Sequence, residues 1–150
     1  MLPMSSLSLT TSARSPNHGS AMLSVEYVII HYTAVSLERT IEIFQDLKTE
    51  ASSHFVIDLD GTVYEMVPAL SSDPLIAHHA GRSFIPNANN SDYIKGLNNS
   101  SIGIEVVNAN GNLFPFTDQQ YSAINNLLNN LREKFPAIKG GGRSKHSSKD

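Results

Sequence analysis

"VEYVIIHYTA", residues 25–34, runs four apolar residues and a tyrosine straight into a histidine, a tyrosine and a threonine. An apolar run of this length predicts a fully buried strand, here Val25–Ile30. A strand buried on both faces meets solvent at its end, and His31 stands there. A single histidine at a core edge is ordinarily satisfied by a neighbouring carbonyl. The fold and the function therefore turn on whether the rest of the chain supplies it with companions.

Working outward, "SLERTIEIFQDLKTE" places Ser36 to cap a helix whose Leu37, Ile41, Phe44 and Leu47 recur at helical spacing. "HFVIDLDGTVYEMV" predicts a hairpin of strands His54–Leu59 and Thr62–Val67, turning at Asp60-Gly61. From Pro68 to Ser100 the residues are small, polar and turn-forming, and a loop of that length inside a domain is usually functional. "SIGIEVVN" returns as a strand over Ile102–Val107. "TDQQYSAINNLLNNLREKF" predicts the last helix, with Thr117 and Gln120 as a capping box and Pro136 as its stop. Its apolar face is Tyr121, Ile124, Leu127, Leu128, Leu131 and Phe135. This order gives an α/β fold with a mixed central β-sheet flanked by α-helices.

The 150 residues suit one domain, and 40% hydrophobic with 17% charged residues predicts a globular chain. A net charge of −3 without a basic run argues against nucleic-acid binding. No apolar run approaches a membrane span. The chain has no cysteine, which excludes disulfides and thiolate chemistry, so a metal would be held by histidine and carboxylate, with zinc the usual ion. The serine- and threonine-rich residues 1–23 read as a flexible leader that is no secretory signal, 24–139 as the domain, and 140–150, "GGGRSKHSSKD", as a flexible tail. Without a signal peptide, the sequence leaves the location open among the cytoplasm, phage-lysin-like release and a fragment that has lost its export sequence.

Two further polar groups sit where packing alone would not put them. Glu105 lies inside "IGIEVV"; strand alternation puts Ile102, Ile104 and Val106 on one face and Gly103, Glu105 and Val107 on the other. Gly103 weakens a strand unless something must approach its backbone. His79 lies in the loop, within "AHHAG".

Together, "IIHYTA", "SSHFVIDLDGTVYEMVP", "AHHAG" and "SIGIEVVN", in this order between about Val28 and Ile138, resemble the zinc-dependent N-acetylmuramoyl-L-alanine amidases of the peptidoglycan-recognition-protein fold, the type 2 amidases. The resemblance implies Zn2+ as cofactor, His31 as a zinc ligand, Glu105 as the catalytic acid/base and His79 in the substrate groove. It also implies peptidoglycan or a muropeptide as partner, cleaved between N-acetylmuramic acid and L-alanine, and the chain is read as a monomer. His54 has a counterpart in the family; a hydrogen-bonded role beneath the groove and a role near substrate both stay open. The chain departs from the family at His78, where a tryptophan or tyrosine is usual. It departs again after "KFPAIK", where a "GHSDIAPGRKxDPG"-like segment carries the other ligands and a lysine. Here only His146 and Asp150 follow, too close together for that motif. The expectation is an incomplete zinc site and a disordered tail, and the rival reading is a non-catalytic peptidoglycan-binding module.

Overall fold

The structure, a computed structural model, describes residues 7–80, 83–84, 93–94, 96–108 and 115–143, with 83–84, 93–94 and 140–143 as backbone. Its strands are β1 Leu9–Thr10, β2 His18–Ala21, β3 Tyr27–Thr33, β4 Phe55–Ile57, β5 Val63–Glu65, β6 Leu75–Ala77, β7 Ser83–Phe84, β8 Tyr93–Ile94, β9 Ser101–Val107 and β10 Gly140–Arg143. The helices are α1 Leu37–Gln45 and α2 Asp118–Lys134. Six strands form a mixed sheet in the order β1-β5-β4-β9-β3-β10, with β4 and β5 antiparallel and the other neighbours parallel. The expected α/β architecture is the observed one.

Alternation along the strands builds two cores. Val28, Phe55, Ile57, Ile102, Ile104 and Val106 face α2, where Ala123, Ile124, Leu127 and Leu131 cover them. Leu127 and Leu131 are fully buried, each stabilising the fold by about 1.5–3 kcal/mol. On the other face Val56 and Val107 pack with Leu37 and Phe44 of α1. The capping box of α2 forms as expected, and its Gln120 is also buried, with Nε2 donating to Val107 O at 2.7 Å. Tyr121, expected on the apolar face, is half exposed.

Ser36 caps α1 by accepting from Arg39 N. The helix stops at Gln45, because Asp46 starts a 3₁₀ turn over Leu47–Thr49 by accepting from Lys48 N. Leu47, two residues past the helix end, is 67% exposed instead of extending the stripe. In the β4–β5 hairpin, Gly61 N donates to Asp58 O and Asp58 N to Thr62 O. The connection is thus Leu59-Asp60-Gly61, one residue longer than expected, with Gly61 in the left-handed region at φ 88°.

At both ends the described structure runs past the limits of 23 and 139 read from the sequence. β1 pairs with β5 and β2 with β6, while Ala13, Ser15, Asn17 and Met22 are buried. Arg14 Nη1 lies 3.2 Å from Oε1 of the fully buried Glu65. Beyond α2, Lys139 N donates to Glu26 O, which sets Gly140–Arg143 beside β3 as an edge strand ending level with Ile30. Residues 140–143, expected in a disordered tail, belong to the sheet. His146 and Asp150 lie outside the described residues.

Candidate active site

β3 and β9 run parallel in a register that places His31 directly beside Glu105. Residues at one level of neighbouring strands share a face, so both side chains lie on the α1 side of the sheet. There they line an open cavity of about 190 Å³ together with Tyr32, Thr40, Ile43 and Phe44. Its position has an electrostatic consequence: burial pushes the Glu105 carboxyl up to about 8. A carboxyl so placed can hold a proton at neutral pH.

His79 reaches this group from the segment after β6. Its Nδ1 lies 3.3 Å from His31 Nε2, and the two rings meet edge-on with centroids 5.5 Å apart. On its other side, Nε2 faces Ser101 O at 3.2 Å and Ser101 Oγ at 3.1 Å. The Ser101 hydroxyl proton is committed to Leu97 O at 2.7 Å. Both Ser101 oxygens therefore accept, which assigns the His79 proton to Nε2 and turns the Nδ1 lone pair toward His31. Burial, then the neighbouring His54 and His31, hold the His79 pKa well below its ordinary value, so the ring is neutral. Asn98 fixes the backbone here, its Oδ1 accepting from His79 N at 3.1 Å and Ala80 N at 2.8 Å.

The open position in the strand now has its physical reason. A Cβ on Gly103 would lie 2.4 Å from His79 Cγ, so only glycine lets the ring lie against β9. His54 sits beneath, fully buried. Gly103 N donates to its Nδ1 at 3.1 Å, so Nε2 carries the proton and donates to Leu75 O at 2.7 Å. Burial lowers its pKa to about 4. Of the two roles left open for His54, this geometry is the hydrogen-bonded one: it ties β9 to the start of β6.

The three residues named from the sequence thus converge, with His31 and Glu105 lining the cavity and His79 against His31. Asn98 and Ser101 were missed; they lie in a run of small polar residues with no pattern to set them apart. Among the described residues no three histidine, aspartate or glutamate side chains group to hold a metal ion.

The family model described as N-acetylmuramoyl-L-alanine amidase matches residues 21–149. No curated protein sequence matches the chain. Among solved structures, a selenomethionine derivative of AmpD superposes with a TM-score of 0.69 at 21% identity, over 91% of this chain and 80% of that one. The endolysin N-acetylmuramoyl-L-alanine amidase LysCS from Clostridium intestinale gives 0.62 at 18%, over 91% and 79%. Drosophila PGRP-LB in complex with tracheal cytotoxin gives 0.55 at 19%, over 89% and 81%. At these identities the likeness is one of fold.

Proposed function

Since the chain belongs to the N-acetylmuramoyl-L-alanine amidase family, we propose that it hydrolyses the amide between the lactyl group of N-acetylmuramic acid and L-alanine in peptidoglycan or its fragments. The observation that carries this reading is the pairing of His31 with Glu105 at one level of adjacent parallel strands, both lining one cavity. Such amides are nearly inert in water, and a protonatable group beside the reacting atoms is what their cleavage requires. Glu105 is that group. Ionised, it takes a proton from the attacking water; protonated, it passes the proton to the departing alanine nitrogen. Its burial favours the protonated form, and a cation held nearby would draw the carboxyl back toward ionisation.

The family's zinc fits the described residues in part. His31 supplies one imidazole donor, held on a rigid strand and braced by His79, and Glu105 stands beside it. The described residues do not complete a three-donor set. His146 and Asp150 remain the candidates for the rest, and β10 ends level with Ile30, three positions in sequence before His146. A bound zinc ion would supply Lewis acidity toward the carbonyl and water. Within this proposal His79 walls the substrate groove by shape, since both its ring nitrogens face protein partners.

The second reading, a peptidoglycan-binding module without hydrolysis, is favoured by the same incomplete donor set. One experiment separates the two. The full chain, supplied with zinc, is incubated with a soluble muropeptide and the products are weighed by mass spectrometry. Release of a free peptide beginning with L-alanine is expected; retention of intact muropeptide without cleavage would leave the binding module.

A further inference from the structure

We propose that Asn17 and Ser52 are positioning residues for the cavity, joining the end of α1 that carries Phe44 to the backbone that carries His79. This rests on reading the cavity as the active site. It adds a brace whose anchor, Asn17, precedes the segment matched by the family model.

The need for such a brace begins at α1. The last carbonyls of a helix have no intrahelical partners, and basic side chains near that end commonly satisfy them. The last turn of α1 has no basic residue, and Asp46 follows it. A segment far upstream supplies the donors instead. Ser15 Oγ donates to Phe44 O, and Asn17 Nδ2 lies 3.2 Å from Phe44 O, 3.0 Å from Asp46 O and 3.0 Å from Ala51 O. With two hydrogens for these acceptors the amide is shared, and it cannot swing away without losing its contacts to all three carbonyls. Asn17 is 4% exposed, which is unusual for asparagine unless its polar atoms are used.

The same residue begins the second half of the brace. Ser52 Oγ donates to the backbone oxygen of Asn17 and accepts from His78 N at 2.9 Å, while Ser52 N donates to His78 O at 3.1 Å. Ser52 is 1% exposed. The segment is kept in line by β2, which pairs His18 with Ala77 and Ala21 with Leu75. One buried network therefore fixes two walls at once. Through Phe44 it sets the α1 side of the cavity around Glu105; through His78 it sets the approach of His79 to His31. A buried hydrogen-bond network of this kind favours one arrangement over its neighbours.

Asn17→Ala and Ser52→Ala in the full chain test this, with Leu127→Ala as a control that loosens the opposite face of the sheet. The first readout is the imidazole nitrogen resonances of His31 and His79, which report position and tautomer without needing turnover. Both brace variants are expected to shift them, and Leu127→Ala to leave them in place while lowering the melting temperature. On muropeptide, the brace variants are expected to lose about 10- to 100-fold in kcat with KM nearly unchanged, the size of effect a remote displacement of order 1 Å produces. Imidazole resonances identical to the parent's in the brace variants, or shifted as much by Leu127→Ala, would overturn the proposal. Should Asn17→Ala not fold, Ser52→Ala carries the test, because it leaves the donors to α1 intact. A parent chain that cleaves nothing would sink the amidase reading, while the resonances would still decide the positioning role.

Discussion

Replacing Gly103 by alanine adds one methyl group at the point where β9 meets His79. The added carbon would lie 2.4 Å from Cγ, 2.7 Å from Cδ2 and 2.7 Å from Nδ1 of the ring. Ordinary contact begins near 3.4 Å, so either the ring retreats by about 1 Å or the strand gives way. The ring has little room, since Ser101 holds one edge and His31 the other. Overpacking of this kind costs about 1–3 kcal/mol, and loosening the Nε2–Ser101 hydrogen bond adds about 1 kcal/mol. Gly103→Ala should therefore destabilise the fold by about 2–4 kcal/mol, measured as a lowered urea midpoint. A double-mutant cycle makes the cause explicit. In a His79→Ala background the methyl has nothing to strike, so Gly103→Ala should cost less than about 1 kcal/mol there, a coupling of 1 kcal/mol or more. Equal costs in the two backgrounds would refute the claim that Gly103 exists to admit the His79 ring.

Acidification should expose His54. Its folded pKa of about 4 lies below the ordinary 6.5, so between these values the unfolded chain binds a proton that the folded protein excludes, and stability falls as pH drops. This group alone should cost about 3 kcal/mol between pH 7.5 and 4, at roughly 1.4 kcal/mol per pKa unit; because Glu105, raised to about 8, gains stability over the same range, the loss is read as the difference between the urea-unfolding profiles of the parent and His54→Gln, and parallel profiles would contradict it. Glu65 should outweigh its ion-pair partner. Burial would raise its pKa, but hydrogen bonds from Ser71, Leu70 and Ala69 hold it below the ordinary value. Glu65→Ala strands those donors and should cost at least about 3 kcal/mol, whereas Arg14→Ala, at a side chain 39% exposed, should cost about 1 kcal/mol or less; similar losses in thermal unfolding would reverse that assignment. His31→Ala should abolish zinc retention while circular dichroism stays native, and a variant that holds as much zinc as the parent would move the metal elsewhere.

The sequence was most legible where one face of an element decides its pattern. The alternation of Ile102, Ile104 and Val106 against Gly103, Glu105 and Val107 separated core face from site face as the structure has it. Ser36 and Thr117 marked both helix starts, because a cap is a local event. What escaped was fixed by partners distant in the chain. Ser15, Asn17 and Ser52 look like solvent-seeking residues until the carbonyls of α1 and the backbone of His78 are brought to them. The glycines of β10 carry no side-chain signal at all, and their strand is made by backbone pairing with β3. Leu47 kept the helical period but lost the helix, because Asp46 offered its carboxylate to a tighter turn. His31, Glu105 and His79 were singled out through the family resemblance; alone, each would have passed for an ordinary polar residue.

The proposed hydrolysis depends on Glu105 acting on the amide at the cavity it shares with His31. Glu105→Gln keeps the shape and hydrogen bonding of the side chain and removes only its capacity to carry the proton. Muropeptide binding, by calorimetry, and turnover, by release of free peptide, should be measured on the zinc-supplied parent and on this variant side by side. Binding should stay within about twofold of the parent and turnover should fall by about 100-fold or more, the scale expected when a general acid/base is lost. Turnover equal to the parent's would contradict that role.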